Sequence, residues 1–211
     1  MAAEGATVAV TYKDDRAGGE SLAADIRASG GSAAVSQYNL ADPGSPERLI
    51  RHVVDTHGGL DLLVANAVVW PRGDLSGTAP WRDALRANLE GTLATVQAAL
   101  PHLLTRRGRL VLISSTVAVD GMPGATTYAA TKAVLHGIVA ALSAEHAPAG
   151  VLANAVLPGL TLTDRAQRLI PKAVRDDVAS RTPTRRLADP HDIAQAVAFL
   201  GSHANRTSPA S

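Results

Sequence analysis

Short aliphatic runs alternate along this chain with longer stretches of helical periodicity. Each run reads as a β-strand because it is apolar, short and bounded by turn residues. The strands are predicted at Ala6–Tyr12, Ala33–Tyr38, Leu60–Asn66, Arg109–Ser115 and Val151–Leu157, and the helices at Gly19–Ala28, Pro46–Thr56, Pro80–Leu104, Thr126–His146 and Pro190–Leu200. Strands that alternate with helices of about ten or more residues indicate right-handed βαβ crossovers. The sequence therefore predicts an α/β fold with a doubly wound parallel sheet.

The composition supports one domain of this kind and excludes several classes of function. Hydrophobic residues make up 46% of the chain and aromatic residues only 3%, which suits an aliphatic core around a buried parallel sheet. A net charge of +1 gives no field that would attract nucleic acid. The absence of cysteine excludes disulfides and thiolate chemistry. We predict a cytoplasmic domain over residues 1–200 with a disordered tail at 201–211, and neither a membrane span nor a secretory signal.

Polar residues that could take part in acid–base chemistry follow the fourth predicted strand. That strand ends in Ser115, Tyr128 comes thirteen residues later, and Lys132 lies four residues beyond Tyr128. One helical turn separates the tyrosine from the lysine, so both lie on one helix face. An unperturbed phenol has a pKa near ~10, and a nearby cation would favour its ionised form. The pattern indicates a proton-transfer pair, and the alternative is an exposed polar pair on a helix.

These three residues, in ISSTVAVDGMPGATTYAATKA, resemble the signature of the classical short-chain dehydrogenase/reductase family. Further segments resemble the family in the expected order: DLLVANA (61–67), RANLEGT (86–92), VLPGLTLT (156–163) and TPTRRLADPHDIAQAVAFL (182–200). The resemblance covers nearly the whole chain. It implies a single Rossmann-like domain that transfers hydride between a nicotinamide cofactor and a small carbonyl or alcohol substrate.

The resemblance also implies a role for individual residues. Tyr128 would be the general acid in reduction and the base in oxidation, while Ser115 would hydrogen-bond the substrate oxygen. Lys132 would lower the pKa of Tyr128 and hold the nicotinamide ribose. Asn88 would anchor a water that relays protons to Lys132, although an isolated mid-helix asparagine is more often solvated. Besides Tyr128 and Lys132, the implied cofactor-binding residues are Lys13, Asn39, Leu40, Asn66, Ala67, Pro158, Gly159 and Thr163.

Cofactor choice depends on the end of the first predicted strand. Tyr12 occupies the position that the resemblance gives to an acid binding the ribose 2′-hydroxyl, and Lys13 follows where NADP-preferring members often carry arginine. Asp14 and Asp15 weaken that positive charge. We therefore expect NADP(H), with NAD(H) as the alternative. The seven histidines show no metal-ligand spacing, so we predict no metal site and surface positions for them.

The chain also departs from the family. Dinucleotide binding uses a glycine-rich turn after the first strand, and the opening MAAEGATVAVTY resembles the segment that follows that turn. The strand before that turn is central in the family sheet, so we expect Ala6–Tyr12 and Ala33–Tyr38 to be split from the other strands. The family's last strand is likewise not matched, and Val68 replaces a glycine near the cofactor ribose. We accordingly expect the 211-residue chain to bind NADP(H) weakly or not at all.

Three functional questions remain open at this level. The chain is either an oxidoreductase or a catalytically silent relative that acts as a binding or oligomerisation partner. Residues Leu160–Arg186 are expected to form a mobile lid whose arginines either face solvent or attract an anionic substrate. We also expect a homo-oligomer, dimer or tetramer, built through the two long helices, with Val96, Leu100, Ile138 and Leu142 as candidate contacts.

Overall fold

The computed structural model describes residues 1–71, 75, 77 and 80–206 of the chain, and its helices and parallel strands confirm the α/β prediction. The strands are β1 (Thr7–Tyr12), β2 (Ser32–Gln37), β3 (Leu62–Ala65), β4 (Arg109–Ile113) and β5 (Leu152–Val156). The α-helices are α1 (Arg16–Ala28), α2 (Ser45–His57), α3 (Trp81–Leu85), α4 (Thr92–Arg106), α5 (Val117–Asp120), α6 (Thr126–His146), α7 (Asp164–Leu169), α8 (Lys172–Arg181) and α9 (Pro190–Gly201).

The parallel strands form two separate sheets. β1 pairs with β2, and β3, β4 and β5 form a second sheet with β4 in the middle. Within the described residues no ladder joins β1 to β3, as the sequence predicts. The residues of β3 are only half-buried, whereas Leu110, Val111 and Leu112 of β4 are at most 1% exposed. Burial is therefore deepest at β4, the strand that leads into the predicted site.

Helices cover both faces of the second sheet, and β4 supplies residues to each side because side chains alternate along a strand. Leu110 and Leu112 pack with Leu103 of α4 and Val139 of α6 in the main core. Val111 and Ile113 pack on the other face against Val197 of α9. Helix α6, which carries Tyr128 and Lys132, is thus fixed to the sheet by aliphatic packing.

The prediction of one continuous helix over Pro80–Leu104 is wrong, because a different helical geometry interrupts it. Residues Arg86–Gly91 form a π-helical turn between α3 and α4. A π-turn adds one residue to the helical circuit and shifts the side chains that follow, and such turns are frequent at functional sites. It places Asn88, which is 4% exposed, in the interior rather than in solvent.

The candidate oligomer contacts do not lie on outward faces. Val96 is 4% exposed and belongs to the main core, against which Ile138 and Leu142 also pack. Leu100 is half-buried. These side chains face the sheet because the apolar stripe of each helix covers β3 to β5. The exposed face of α6 carries small residues instead, at Ala130, Ala133, Gly137 and Ala140.

One residue of the predicted tail contacts the domain closely. Gly201 is the last residue of α9, and Asn205 is 2% exposed. The Asn205 side chain donates to Leu200 O at 3.0 Å, and the Asn205 backbone carbonyl accepts from Arg109 Nη2 at 3.1 Å. Its neighbours 203, 204 and 206 are exposed, and 207–211 lie outside the described residues, so the disordered tail stays a prediction.

Candidate active site

The strand ends bring the predicted catalytic residues to one edge of the second sheet. Ser115 follows β4, and the backbone N–H of the next residue, Thr116, donates to Pro158 O beyond β5 at 3.0 Å. Asn66 follows β3 at the same edge. Ligands of open parallel sheets bind beyond the carboxyl ends of the strands. The geometry therefore places the candidate site where this fold class binds small molecules.

Ser115 and Tyr128 are both buried at this edge of the sheet. Their exposed fractions are 8% and 9%, and Ser115 Oγ accepts from the Val117 N–H at 3.2 Å. Burial raises the pKa of Tyr128, and the nearby Ser115 hydroxyl opposes that rise only partly. A buried phenol disfavours its charged form, so the hydroxyl keeps its proton at neutral pH. The pair can therefore donate a proton to a ligand oxygen.

Lys132 lies one helical turn from Tyr128 and is 5% exposed. Burial lowers the pKa of its ammonium to about 8. Its Nζ donates to Ile113 O at 2.6 Å and lies 5.9 Å from the centre of the Tyr128 ring. The lowering of the Tyr128 pKa by Lys132 stays a prediction: in the structure burial raises the pKa of Tyr128, and the Lys132 ammonium donates to a strand carbonyl.

The donor capacity of Lys132 fits a hydroxyl-bearing ligand. An ammonium has three N–H donors, and the described residues supply one acceptor, Ile113 O, and no carboxylate within ion-pair distance. A buried cation without a counter-ion is costly and gains from further acceptors. The site therefore fits the ribose half of a nicotinamide cofactor. Among the described residues no glycine-rich turn supplies a cradle for its pyrophosphate.

Asn88 holds the backbone beside the site. Its Oδ1 accepts from the Val69 N–H at 2.7 Å, and its Nδ2 donates to Val69 O at 2.8 Å. The same Nδ2 lies 3.4 Å from Thr131 Oγ1, which in turn donates to Tyr128 O at 2.8 Å. Asn88 therefore links the segment after β3 to helix α6. Its predicted role in holding a water stays a prediction.

Three further residues near the site, Trp70, Ser114 and His136, are not indicated by the sequence analysis. Trp70 stacks on Tyr128 with ring centres 4.0 Å apart and planes inclined by 35°. Ser114 Oγ donates to Lys132 O at 2.9 Å and lies 2.8 Å from His136 Nε2, so the imidazole N–H donates to Ser114. His136 is half-buried, and the surface position predicted for it is wrong. Its spacing, four residues after Lys132, is the signal that could have identified it.

The predicted cofactor residues divide between the two sheets. Lys13 follows β1 and pairs with Asp14 at 3.4 Å, while Asn39 and Leu40 follow β2. Asn39 accepts from the Ala41 N–H at 3.1 Å, and Leu40 is 7% exposed. The others follow strands of the second sheet: Asn66 and Ala67 come after β3, and Pro158, Gly159 and Thr163 come after β5. Thr163 caps α7 by accepting from the Ala166 N–H at 3.1 Å.

A cavity of about 630 Å³ opens beside this edge of the sheet. It is lined by Thr116 and Gly159 at the strand ends and by the segment predicted as a lid. The lid arginines that reach it are already paired: Arg181 binds Asp177 at 2.7 Å, and Arg186 binds Asp192 at 2.5 Å. The Arg186 guanidinium lowers the pKa of Asp192 to about 2, so that pair stays ionised. These contacts favour the interpretation that both arginines serve structure rather than anion binding.

We expect Lys132 to make stability rise with pH. Between its folded pKa of about 8 and the unfolded value near ~10.4, the unfolded chain holds a proton that the folded chain has lost. The free energy of unfolding should therefore increase from pH 7.5 to pH 9.5, on the order of 1–2 kcal/mol. Urea unfolding of the wild type and of Lys132→Met at both pH values measures it. The same slope in both proteins would contradict the assignment.

The described residues contain no group of three side chains suited to a metal ion. Among the described helices, none is both long and apolar enough to cross a membrane.

Comparisons with known proteins agree with the site. Residues 1–208 match the family profile described as Enoyl-(Acyl carrier protein) reductase. The chain is 34% identical over 206 residues to the 3-oxoacyl-(acyl-carrier-protein) reductase FabG of Staphylococcus aureus, a match that covers 96% of this chain and 83% of that protein. It is 32% identical over 194 residues to the oxidoreductase UcpA of Escherichia coli strain K12, with 87% and 74% covered.

Proposed function

Because the chain belongs to the short-chain dehydrogenase/reductase family, we propose that it is an NADP(H)-dependent oxidoreductase that interconverts a small carbonyl compound and its alcohol. The observation that carries the proposal is the joint burial of the Ser115 and Tyr128 hydroxyl side chains with the Lys132 ammonium one helical turn away. A protonated phenol beside a second hydroxyl is suited to a carbonyl oxygen, because one can donate the proton while the other stabilises the developing negative charge.

In the reductive direction each residue of the site has a separate role. Ser115 Oγ–H donates to the substrate oxygen and orients it, and Tyr128 O–H transfers its proton to that oxygen. The nicotinamide supplies the hydride when it is bound. The Lys132 ammonium holds the ribose hydroxyls and stabilises the phenolate that remains on Tyr128. Asn88 fixes the Val69 backbone and, through water, returns a proton towards Lys132.

The cofactor would be held along both sheets. Asn66, Ala67, Pro158, Gly159 and Thr163 would surround the nicotinamide half, and Lys13, Asn39 and Leu40 the adenosine half. Lys13 supports NADP(H) over NAD(H) because its ammonium suits a 2′-phosphate, although it shares its charge with Asp14.

The substrate class proposed first is a 3-oxoacyl thioester. The support is the name of the FabG relatives and a cavity of about 630 Å³, which has room for a short acyl chain. Arg106 is exposed and donates to Gly58 O at 2.7 Å, so part of its hydrogen-bonding capacity is already used within the chain. We propose a free thioester for the first test because it needs no carrier protein.

Reduction of acetoacetyl-CoA, followed by loss of NADPH absorbance, tests the proposal. We expect turnover with NADPH that exceeds turnover with NADH, and a lower kcat/KM as the pH rises through about 8, because Lys132 loses its charge there. If NADPH absorbance fell no faster with the protein than without it, the assignment would be refuted. Faster reaction with NADH would refute only the cofactor preference.

Two further parts of the proposal concern assembly and location. Long helices whose outer faces carry small, exposed residues suit close packing against a second copy, so we keep the proposal of a homo-oligomer, a dimer or tetramer. The contacts, however, would involve the exposed small residues of α6 rather than the core side chains first suggested. The cytoplasmic location stays a prediction.

A further inference from the structure

One acidic side chain of the cavity beside the site has no ion pair within the described residues. Four described residues that line the cavity carry a charge: Asp120, Arg181, Arg186 and Asp192. Arg181 pairs with Asp177 at 2.7 Å, and Arg186 pairs with Asp192 at 2.5 Å, so these charges balance. Asp120 has no cation within ion-pair distance in the part of the chain that the structure describes. The cavity wall therefore carries one unbalanced negative charge.

Asp120 lies close to the proposed hydrogen-bond donor of the site. It is the last residue of α5, and its backbone N–H donates to Thr116 O at 2.9 Å. Thr116 lines the same cavity and directly follows Ser115. One helical turn thus separates Asp120 from the residue beside Ser115. An acyl chain that leads from Ser115 into the cavity therefore comes near the Asp120 carboxylate.

Helix stability does not account for this aspartate. Carbonyl groups without partners give the C-terminal end of a helix a partial negative charge, which favours cations there and disfavours anions. Gly121, with a φ of 71°, ends α5 directly after Asp120. The Asp120 side chain is also exposed. Replacing its carboxylate with an amide should therefore leave the fold intact.

We propose that Asp120 is a specificity-determining residue that selects against 3-oxoacyl chains ending in a carboxylate. The inference rests on the proposed reduction of a 3-oxoacyl thioester at Ser115 and Tyr128. Like charges repel over about one Debye length, which is about 10 Å at 0.1 M salt. A carboxylate at the end of a short acyl chain is repelled by Asp120, whereas a methyl end is not. We expect this repulsion to lower kcat/KM for the acidic chain by about three- to tenfold.

The test compares 3-oxohexanoyl-CoA with 3-oxoadipyl-CoA, which have acyl chains of equal length and of which only the second ends in a carboxylate. Asp120→Asn keeps the side-chain shape and removes the charge. It should lower the ratio of kcat/KM for the neutral substrate to that for the acidic one by about three- to tenfold at about 0.1 M salt. The effect should nearly vanish at about 1 M salt, where the Debye length falls to about 3 Å. A shift of the same size at both salt concentrations would overturn the proposal, because a packing effect is not screened by salt.

Asp25→Asn provides the matched control. Asp25 is an exposed acid of α1 that makes no ion pair with the described residues and does not line the cavity. Its replacement makes the same change in net charge and should leave the kcat/KM ratio unchanged. An equal shift in both variants would overturn the proposal, because the effect would then come from the overall charge of the protein.

A second readout needs no turnover. Hexanoyl-CoA and adipyl-CoA lack the keto group, so calorimetry measures their binding without reduction. Asp120→Asn should strengthen the binding of adipyl-CoA relative to that of hexanoyl-CoA by about three- to tenfold. Binding of neither acyl-CoA would overturn the proposal, because the cavity would then not accept an acyl chain.

The two readouts separate the role of Asp120 from the proposed reaction. The expected shift in binding without turnover of either 3-oxoacyl substrate would support the role of Asp120 and refute the reaction. Turnover of both substrates at a ratio that Asp120→Asn leaves unchanged would refute the role of Asp120 and leave the reaction in place.

Discussion

Replacing Tyr128 with phenylalanine is expected to lower kcat/KM for carbonyl reduction by about 10²- to 10⁴-fold, because it removes the proton donor and keeps the ring. The ring still stacks on Trp70, and the substitution removes only the hydroxyl beside Ser115. The free energy of unfolding should change by no more than about 1 kcal/mol. Steady-state kinetics and urea unfolding of the same preparations measure both quantities.

Tyr38 provides a matched control. It is 8% exposed, close to the 9% of Tyr128, and its hydroxyl is hydrogen-bonded to Thr95 Oγ1 at 2.7 Å. Tyr38→Phe also removes one buried hydroxyl, so it should cost about 0.5–1.5 kcal/mol of stability. It should leave kcat/KM within about twofold of the wild type, since a proton-transfer role is not invoked for it. Equal activity losses in both variants would mean that the effect at Tyr128 is structural.

Replacing Gly91 with alanine is expected to destabilise the fold strongly. A Cβ at this position would lie 2.1 Å from Leu40 O, which is backbone and cannot rotate away. Gly91 ends the π-turn, and its carbonyl accepts from Thr95 Oγ1 at 2.7 Å. Overpacking of this kind costs about 1–3 kcal/mol or more. The loop of Asn39 and Leu40 would have to move, so we also expect weaker binding of NADP(H), measured by calorimetry beside urea unfolding.

Gly44 provides the control for this substitution. A Cβ there would meet Arg48 Nη1 at 2.5 Å, but that atom is the end of a side chain that is 62% exposed and can move. Gly44→Ala should therefore change the free energy of unfolding by less than about 0.5 kcal/mol. If Gly91→Ala lowered the free energy of unfolding as little as Gly44→Ala, that result would contradict close packing between the π-turn and the loop after β2.

Local patterns predict much of this fold. Helix α6 begins at Thr126 and ends at His146, as its apolar periodicity predicts, and each strand lies within two residues of its predicted limits. The separation of β1 and β2 from the other strands is also predicted, from the missing glycine-rich turn. These features follow from short-range signals: strand length, helical periodicity and turn residues.

Features set by distant contacts could not be predicted in this way. The π-turn depends on the fit of Gly91 against Leu40 and of Asn88 against Val69, and apolar periodicity carries no sign of it. The stacking of Trp70 on Tyr128 joins residues far apart in sequence. The pKa of Tyr128 depends on burial, which the Tyr-x-x-x-Lys spacing does not report. The sequence thus indicates the candidate reacting groups, and packing decides their protonation and surroundings.

Hydride transfer from labelled cofactor tests the central claim most directly. The protein is incubated with NADPH deuterated at nicotinamide C4, separately in each stereochemical form, and with acetoacetyl-CoA. Mass spectrometry then measures deuterium in the hydroxyl product. The account predicts that one of the two forms gives a singly deuterated product with the wild type and that Tyr128→Phe gives almost none. A wild-type protein that forms no deuterated product would contradict the account and would favour a catalytically silent member of the family.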